Sequence, residues 1–593
     1  MNLYYGNAII ELRNHEGKVT DMKKNALPVL VIGGLIAVIL IYLGISAVIE
    51  KYTPTDERQN LTEYYNIKEE TQVAIILDNQ ILDAYGTLID GQVYLDYKLV
   101  DEYLNNRFYW DANEKLLLYT TTSSIITIPA ESTSYRVDDS TEDFGKVIAK
   151  TTKDSVLIHI DFVQKYSNIS CNYYESPNRL AITSAWGEIT VVEAQEDTQV
   201  RFEGHIKSPI LADVTTGSLL TILEIGETWH KVATADGLIG YTECKRYNSP
   251  TTQNLVSEYP EEVFNHLTSD KPINLLWHQI FYAGGNSTVK NVLSQSKSVT
   301  VMSPTWFRIK DNEGNLQSIA SNDYVSYCHK QGVEVWGLVT NVDIKVDITH
   351  ILTHTSVRQN LINQLISKAV EYKLDGINVD IESLYDDNIG DGYIQFLREL
   401  SVACEKNNLI LSTAVPPVTG SNYLYGYEDQ PDYVDYVVVM AYDEHYGVKS
   451  GAGSIASLNW TENAIVNLMN SNIPSNQLVL GIPFYSGFWI FTPNSSSGDY
   501  EVTYELALQK IRMETAQKWL KENETTKQWL EDCGQYYYES KKDGILYKLW
   551  LEDATSLEKR LQLMQKYELA GAAYWKSGME TSDVWDVISK YFK

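Results

Sequence analysis

The octet Asp375-Gly376-Ile377-Asn378-Val379-Asp380-Ile381-Glu382 sets acids along a strand in a way that core packing alone does not require. Side chains alternate along a strand, so Asn378, Asp380 and Glu382 share one face while Ile377, Val379 and Ile381 share the other. Two neighbouring carboxyl groups can divide acid–base work, because the charge of one keeps a proton on the other near neutral pH. An exposed edge strand also alternates acids with β-branched residues. Here the context favours chemistry. An amphipathic helix precedes the octet, with Ser356 as its N-cap and Leu361, Ile362, Leu365 and Ala369 on its apolar face, and a turn at Lys373-Leu374 feeds the strand. A helix running into a strand is a βα repeat, whose strands are buried on both faces. Acids at the C-terminal end of such a strand serve catalysis.

Eight apolar runs position this octet: 273–280, 298–303, 333–340, 376–381, 410–414, 436–441, 478–482 and 571–575, with helical segments between them. Their number and spacing predict a TIM (β/α)8 barrel over 270–593. Polar and aromatic residues follow nearly every run. They are Ser303-Pro304-Thr305-Trp306-Phe307, Asn341, Pro416-Pro417, the stretch from Met440 through Tyr442 and Asp443 to His445, Pro483-Phe484-Tyr485 and Tyr574-Trp575. Together they point to one sugar-sized pocket, since flat aromatic faces stack on pyranose rings. The segment 489–547 reads as an α+β insertion walling the cleft, with a helix over 507–520 and a strand pair around Tyr536-Tyr537-Tyr538.

The octet resembles the signature of glycoside hydrolase family 18, in which acids are spaced Asp-x-x-Asp-x-Asp-x-Glu; Asn378 stands where the second acid would be. The runs at 481–485 and 549–553 are similar to the branch containing bacterial spore-cortex and cell-wall hydrolases. The resemblance implies an enzyme cutting β-1,4 linkages next to N-acetylglucosamine in peptidoglycan or chitin-like glycans, with the substrate's acetamido group as nucleophile. It implies Glu382, Asp380 and Tyr442 as catalytic residues and Asp375, Asn378, Trp306, Met440, Asp443, Tyr485 and Trp575 as substrate-binding residues. Asn378 is expected to donate a hydrogen bond to Asp380 and so keep it ionised. No cofactor or metal is implied. The alternative is a lectin-like barrel that binds glycan without cutting it, although such relatives typically lose the final glutamate.

The chain has 593 residues, 44% hydrophobic and 11% aromatic, with a net charge of -30. That is enough for several domains, and without a basic run nucleic acid is not a partner. Five widely separated cysteines support neither a disulfide framework nor a zinc site. Residues 26–49 carry no charge and are long enough to span a bilayer, which predicts a transmembrane signal anchor with 1–25 as a cytoplasmic tail. A cleaved signal ending near Gly44-Ile45-Ser46 is the alternative. Everything beyond would then face the cell wall, outside the cell membrane. Over 52–193 short strands alternate with turns, and 94–128 resembles the spacer domain named after the copper amine oxidase N-terminus. The all-β pattern at 197–247, with Trp229, Gly237, Gly240 and Tyr241, is similar to bacterial SH3-like domains.

Overall fold

The computed structural model describes residues 22–153, 155–342, 344–493 and 504–592. Residues 1–21 of the expected tail and 494–503 of the expected insertion lie outside these. The chain forms two compact units, Met1–Tyr94 with Tyr166–Tyr259, and Leu95–Lys165 with Pro260–Lys593.

The first unit contains the helix Met22–Tyr52, of which Leu30–Tyr52 is long and apolar enough to cross a membrane, as a signal sequence also is. Beyond it, the strand Gln72–Leu77 pairs in parallel with Arg179–Thr183 and antiparallel with Gln80–Ile89. A seven-stranded antiparallel sheet between residues 187 and 255 closes on Val192, Val200, Leu211, Leu220 and Val232. Gly237 takes a φ of 84°, which a turn between its strands requires and which a side chain would resist.

The second unit contains a closed barrel of eight parallel strands: Ile273–His278, Val301–Pro304, Glu334–Thr340, Gly376–Asp380, Ile410–Val415, Tyr436–Met440, Leu478–Pro483 and Gly571–Trp575. The eighth pairs with the first, and each run expected from the sequence supplies one strand. Alternation sorts their side chains. Leu275, Trp277, Trp336, Leu338, Tyr436 and Val438 fill the barrel interior, whereas Ile377, Val379 and Val439 meet the surrounding helices in a larger outer core.

The helix before the fourth strand runs from Thr355 to Tyr372 and buries Leu361, Ile362, Leu365 and Ala369. Ser356 is not its N-cap. That position belongs to His354, which makes no side-chain cap bond. Distant carboxylates cap the helix instead: Asp111 Oδ2 accepts from Thr355 N at 2.7 Å, and Glu114 Oε1 accepts from Ser356 N at 3.1 Å. Anionic oxygens at a helix N-terminus satisfy its free N–H groups and its dipole. Both acids belong to a five-stranded antiparallel meander, residues 108–143, within the same unit.

The meander also covers a buried ion pair. Arg358 and Glu399 are fully buried, with Nη2 and Oε1 2.6 Å apart and the guanidinium 5.0 Å from the Tyr109 ring. Removing one charge strands the other in a dry site. Arg358→Met is therefore expected to cost about 3 kcal/mol of stability. Urea unfolding of Arg358→Met, Glu399→Met and the double variant checks this: the double variant should be more stable than either single one.

The segment after the seventh strand forms a second five-stranded sheet with the helix Met513–Glu522. Residues 507–512, expected to be helical, are instead the end of the strand Tyr504–Arg512, because they pair in register with Tyr485–Pro493. Tertiary pairing overrides the helix propensity of Ala507, Leu508, Gln509 and Lys510.

Candidate active site

Within the second unit, the ends of the barrel strands surround a hollow of about 720 Å³, in the range of ligand sites. Trp277, Leu338, Asp380, Glu382, Tyr425, Met440, Tyr442, Asp443 and Trp575 line it, with Tyr385, Tyr446 and Trp460 nearer its rim and Lys510 reaching in from the inserted sheet. Alternation along the fourth strand brings Asp380 to this side, with Glu382 following just past the strand's end.

Asn378 is fully buried below them. Its Oδ1 accepts from Trp277 Nε1 at 3.0 Å and from Ser303 Oγ at 3.3 Å, and its Nδ2 donates to Ser412 Oγ at 3.0 Å. An indole N–H can only donate, so the amide orientation is fixed by chemistry. The one hydrogen bond seen from this Nδ2 among the described residues goes to Ser412, and the expected one to Asp380 is not seen.

Asp380 is 7% exposed, and its Oδ1 has no hydrogen-bond partner. Burial, followed by the charge of Glu382, raises its pKa well above the usual carboxylate range; a hydrogen bond from Thr340 opposes the shift. Where Asn378 was expected to keep Asp380 ionised, its surroundings favour the protonated form. An unpaired buried oxygen facing a hollow is costly unless a ligand satisfies it.

Tyr442 follows the sixth strand. Burial and the charges of Asp380, Asp443 and Glu382 push its phenol well above its usual range, so it remains a hydrogen-bond donor. Asp443 adopts a left-handed backbone with φ 63°, which an Asp tolerates better than most residues. Its Oδ1 accepts from Tyr485 OH at 2.5 Å, and its Oδ2 lies 2.6 Å from Lys510 Nζ. Trp575 ends the eighth strand and meets Trp277 edge to face, with ring centres 5.8 Å apart. These two indoles give the hollow an apolar side opposite its acids.

The remaining expected positions divide. Met440 lines the hollow, whereas Tyr485, 2% exposed, packs behind it and holds Asp443. Asp375 does not reach it. Its carboxylate accepts from Val335 N at 2.7 Å and pairs with His329 Nε2 at 2.8 Å. Five residues of strand put it roughly 16 Å from Asp380, at the opposite end of the barrel. Trp306 is also elsewhere: it is 1% exposed, donates to Asn286 Oδ1 at 2.7 Å and packs against Tyr324 in the outer core. The second strand ends at Pro304, so its alternation no longer governs where that ring points.

Trp277, Tyr425, Trp460 and Lys510 were not expected at the site. Trp277 is the penultimate residue of the first strand, a position that could have flagged it, but Lys510 lay in a stretch that reads as helix. Lys510 and Asp443 are both partly exposed, so their pair is solvent-screened. Lys510→Met is accordingly expected to lower kcat/KM about fivefold or less, the equivalent of ~1 kcal/mol. Steady-state kinetics checks this, with an unchanged melting temperature excluding a folding defect.

Residues 306–580 match the family model described as glycosyl hydrolases family 18. Among curated relatives, the "Uncharacterized glycosylase YvbX" of Bacillus subtilis is 23% identical over 325 residues, covering 52% of this chain and 90% of that protein. The "Cortical fragment-lytic enzyme" of the same organism is 22% identical over 323 residues, 52% of this chain and 72% of that protein. The crystal structure of the Bacillus cereus spore cortex-lytic enzyme SleL aligns with a TM-score of 0.47 and 17% identity, covering 58% of this chain and 77% of its own. Six of the eight barrel strands and the strand-end acids thus lie within the part of the chain that matches the glycosyl hydrolases family 18 model, and the chain is similar there to a cortical fragment-lytic enzyme.

Proposed function

We propose that this chain hydrolyses β-1,4 linkages next to N-acetylglucosamine in peptidoglycan or a chitin-like glycan, by retaining catalysis in which the substrate's own acetamido group is the nucleophile. The observation that carries the reading is the buried, unpartnered Asp380 Oδ1 beside Glu382 in a hollow lined by Tyr442 and Trp575. An acetamido group offers what those residues lack. Its N–H satisfies Asp380, its carbonyl oxygen accepts from the Tyr442 hydroxyl, and its methyl rests on the Trp575 ring.

Glu382 gives its proton to the glycosidic oxygen as the bond from that oxygen to the anomeric carbon breaks. The acetamido carbonyl oxygen forms a bond to the same carbon, and positive charge spreads over the resulting oxazolinium ring. Asp380, ionised, stabilises that charge through the amide N–H. The aglycone leaves. Glu382, now a carboxylate, takes a proton from water as the water oxygen attacks the anomeric carbon; the ring opens, the acetamido group re-forms and Glu382 is protonated again. Attack from opposite faces in the two steps retains configuration.

The helix Met22–Tyr52 would hold the enzyme at the cell membrane, with Lys23 and Lys24 on the cytoplasmic side and the barrel facing the wall. The relatives named for cortical fragments and the spore cortex favour a wall glycan as substrate. Residues 53–593, incubated with purified peptidoglycan and with chitooligosaccharides, should yield new reducing-end N-acetylglucosamine, identified by mass spectrometry. Binding to either glycan with no new reducing ends would overturn the reading in favour of a lectin-like barrel.

A further inference from the structure

The acid at the centre of this reading sits just beyond regular structure. The ladder between the third and fourth strands ends with Thr340 opposite Asp380, and Glu382 lies two residues farther on. Past it, Ser383 turns the chain through a left-handed backbone with φ 66°. Nothing in a strand ladder therefore fixes the peptide groups of Glu382.

Asn341 supplies that missing register from its side chain. Its Oδ1 accepts from Glu382 N at 2.8 Å, and its Nδ2 donates to Glu382 O at 2.9 Å. One planar amide thus grips the backbone on both sides of a single residue, as a neighbouring strand would. A primary amide carries an acceptor and a donor on two separate atoms of one carbon, whereas an ionised Asp has no donor, Thr has a single oxygen and Leu has neither group, so none of them reproduces both bonds. The preceding residue is fixed as well: Ile381 is fully buried, and its carbonyl accepts from Tyr425 OH at 3.2 Å. Leu384, fully buried in the outer core, anchors the far side of the turn. Rotating the backbone of Glu382 would swing a carboxyl group carried on three further bonds, so small changes at Asn341 become large ones at the acid.

We infer that Asn341 is a positioning residue, holding the Glu382 carboxyl in line with the glycosidic oxygen. The inference rests on Glu382 being the proton donor. It goes further in assigning part of the rate to an amide that touches neither substrate nor reacting atoms. A misplacement near 1 Å in such a group costs about 10²-fold.

The test separates positioning from mere folding through the leaving group. A glycan alkoxide needs the proton from Glu382, whereas 2,4-dinitrophenolate leaves without one. The full chain carrying Asn341→Ala should lose about 10²-fold in kcat on chitotetraose with KM within about twofold, yet less than about threefold in the single-turnover release of dinitrophenolate from 2,4-dinitrophenyl N,N′-diacetylchitobioside, a step that precedes the return of Glu382 as base. Asn341→Asp keeps the shape and the acceptor but loses the donor, and should fall between wild type and Asn341→Ala even if the alanine variant folds poorly. Equal losses on both probes, or a change confined to KM, would overturn the inference. Glu382→Gln is the control. If it shows the leaving-group split and Asn341→Ala does not, the inference falls alone. If Glu382→Gln lacks the split, or the wild-type chain cleaves neither probe, the proton-donor reading falls and takes this one with it.

Discussion

Glu382→Gln is expected to lower turnover of an unactivated N-acetylglucosamine glycan about 10⁴-fold, at the upper end of what a general acid–base residue contributes. The glutamine keeps the shape and removes the transferable proton. Both halves of the proposed reaction suffer, because the same group must protonate the departing oxygen and later accept a proton from water. Among the described residues, no other carboxyl group in the hollow is free to take over. Asp443 is engaged by Tyr485 and Lys510. Glu444 accepts from the backbone N and the hydroxyl of Ser457. Asp380 lies deeper on the strand, where the proposed mechanism already uses it against the acetamido N–H. Binding should survive, since the apolar side made by Trp277 and Trp575 and the donor Tyr442 are untouched. Equilibrium binding of chitotetraose within about threefold of wild type, together with the turnover loss, is the signature of an interaction made only in the transition state. Turnover above a tenth of wild type would remove Glu382 from the mechanism.

The part of this arrangement legible in the sequence is the part that follows from local periodicity. Buried parallel strands read as apolar runs, so all eight could be found, and the two-residue alternation put Asn378 and Asp380 inside the barrel while Ile377 and Val379 faced the helices. The same alternation places Asp375 with Ile377 and Val379, on the outer side, so its absence from the hollow was legible too; the family spacing masked it. Trp306 gave no such signal, because the second strand ends two residues earlier.

What could not be read depends on partners far apart in the chain. Asn378 looked like a donor to its strand neighbour, but the Trp277 indole, 101 positions away, claims its carbonyl and so turns its amide toward Ser412. The helix preceding the octet is capped by acids more than 240 positions earlier, Asp111 and Glu114, and no local pattern contains that information. Lys510 was hidden by its neighbours' helix propensity and reaches the hollow only because its strand pairs with Tyr485–Pro493.

Asp380→Asn should separate activity from stability. Turnover is expected to fall about 10³-fold, since the amide cannot supply the charge that the oxazolinium ring requires. Stability should move the other way. Because burial and the charge of Glu382 raise the Asp380 pKa above its value in the unfolded chain, the folded state holds this proton more tightly than the unfolded state does. The stabilisation from that proton is complete below the unfolded pKa, near the ordinary carboxylate value of about 3.9, and is lost as pH rises through the folded pKa. Above the folded pKa the wild type therefore carries an expensive buried charge that the asparagine variant does not. Asp380→Asn is expected to melt at a higher temperature than wild type at pH values above the folded pKa, with the gap closing as pH falls through it. The activity profile should mirror this: wild-type turnover rises with pH through the raised Asp380 pKa, so its acidic limb lies above the usual carboxylate range, and the residual activity of Asp380→Asn should lack that limb. Melting curves and kcat measured from pH 4 to pH 8 test both halves. A stability gap between variant and wild type that does not grow in the variant's favour as pH rises, or a variant keeping the wild-type acidic limb, would mean that Asp380 does not carry the charge the mechanism places on it.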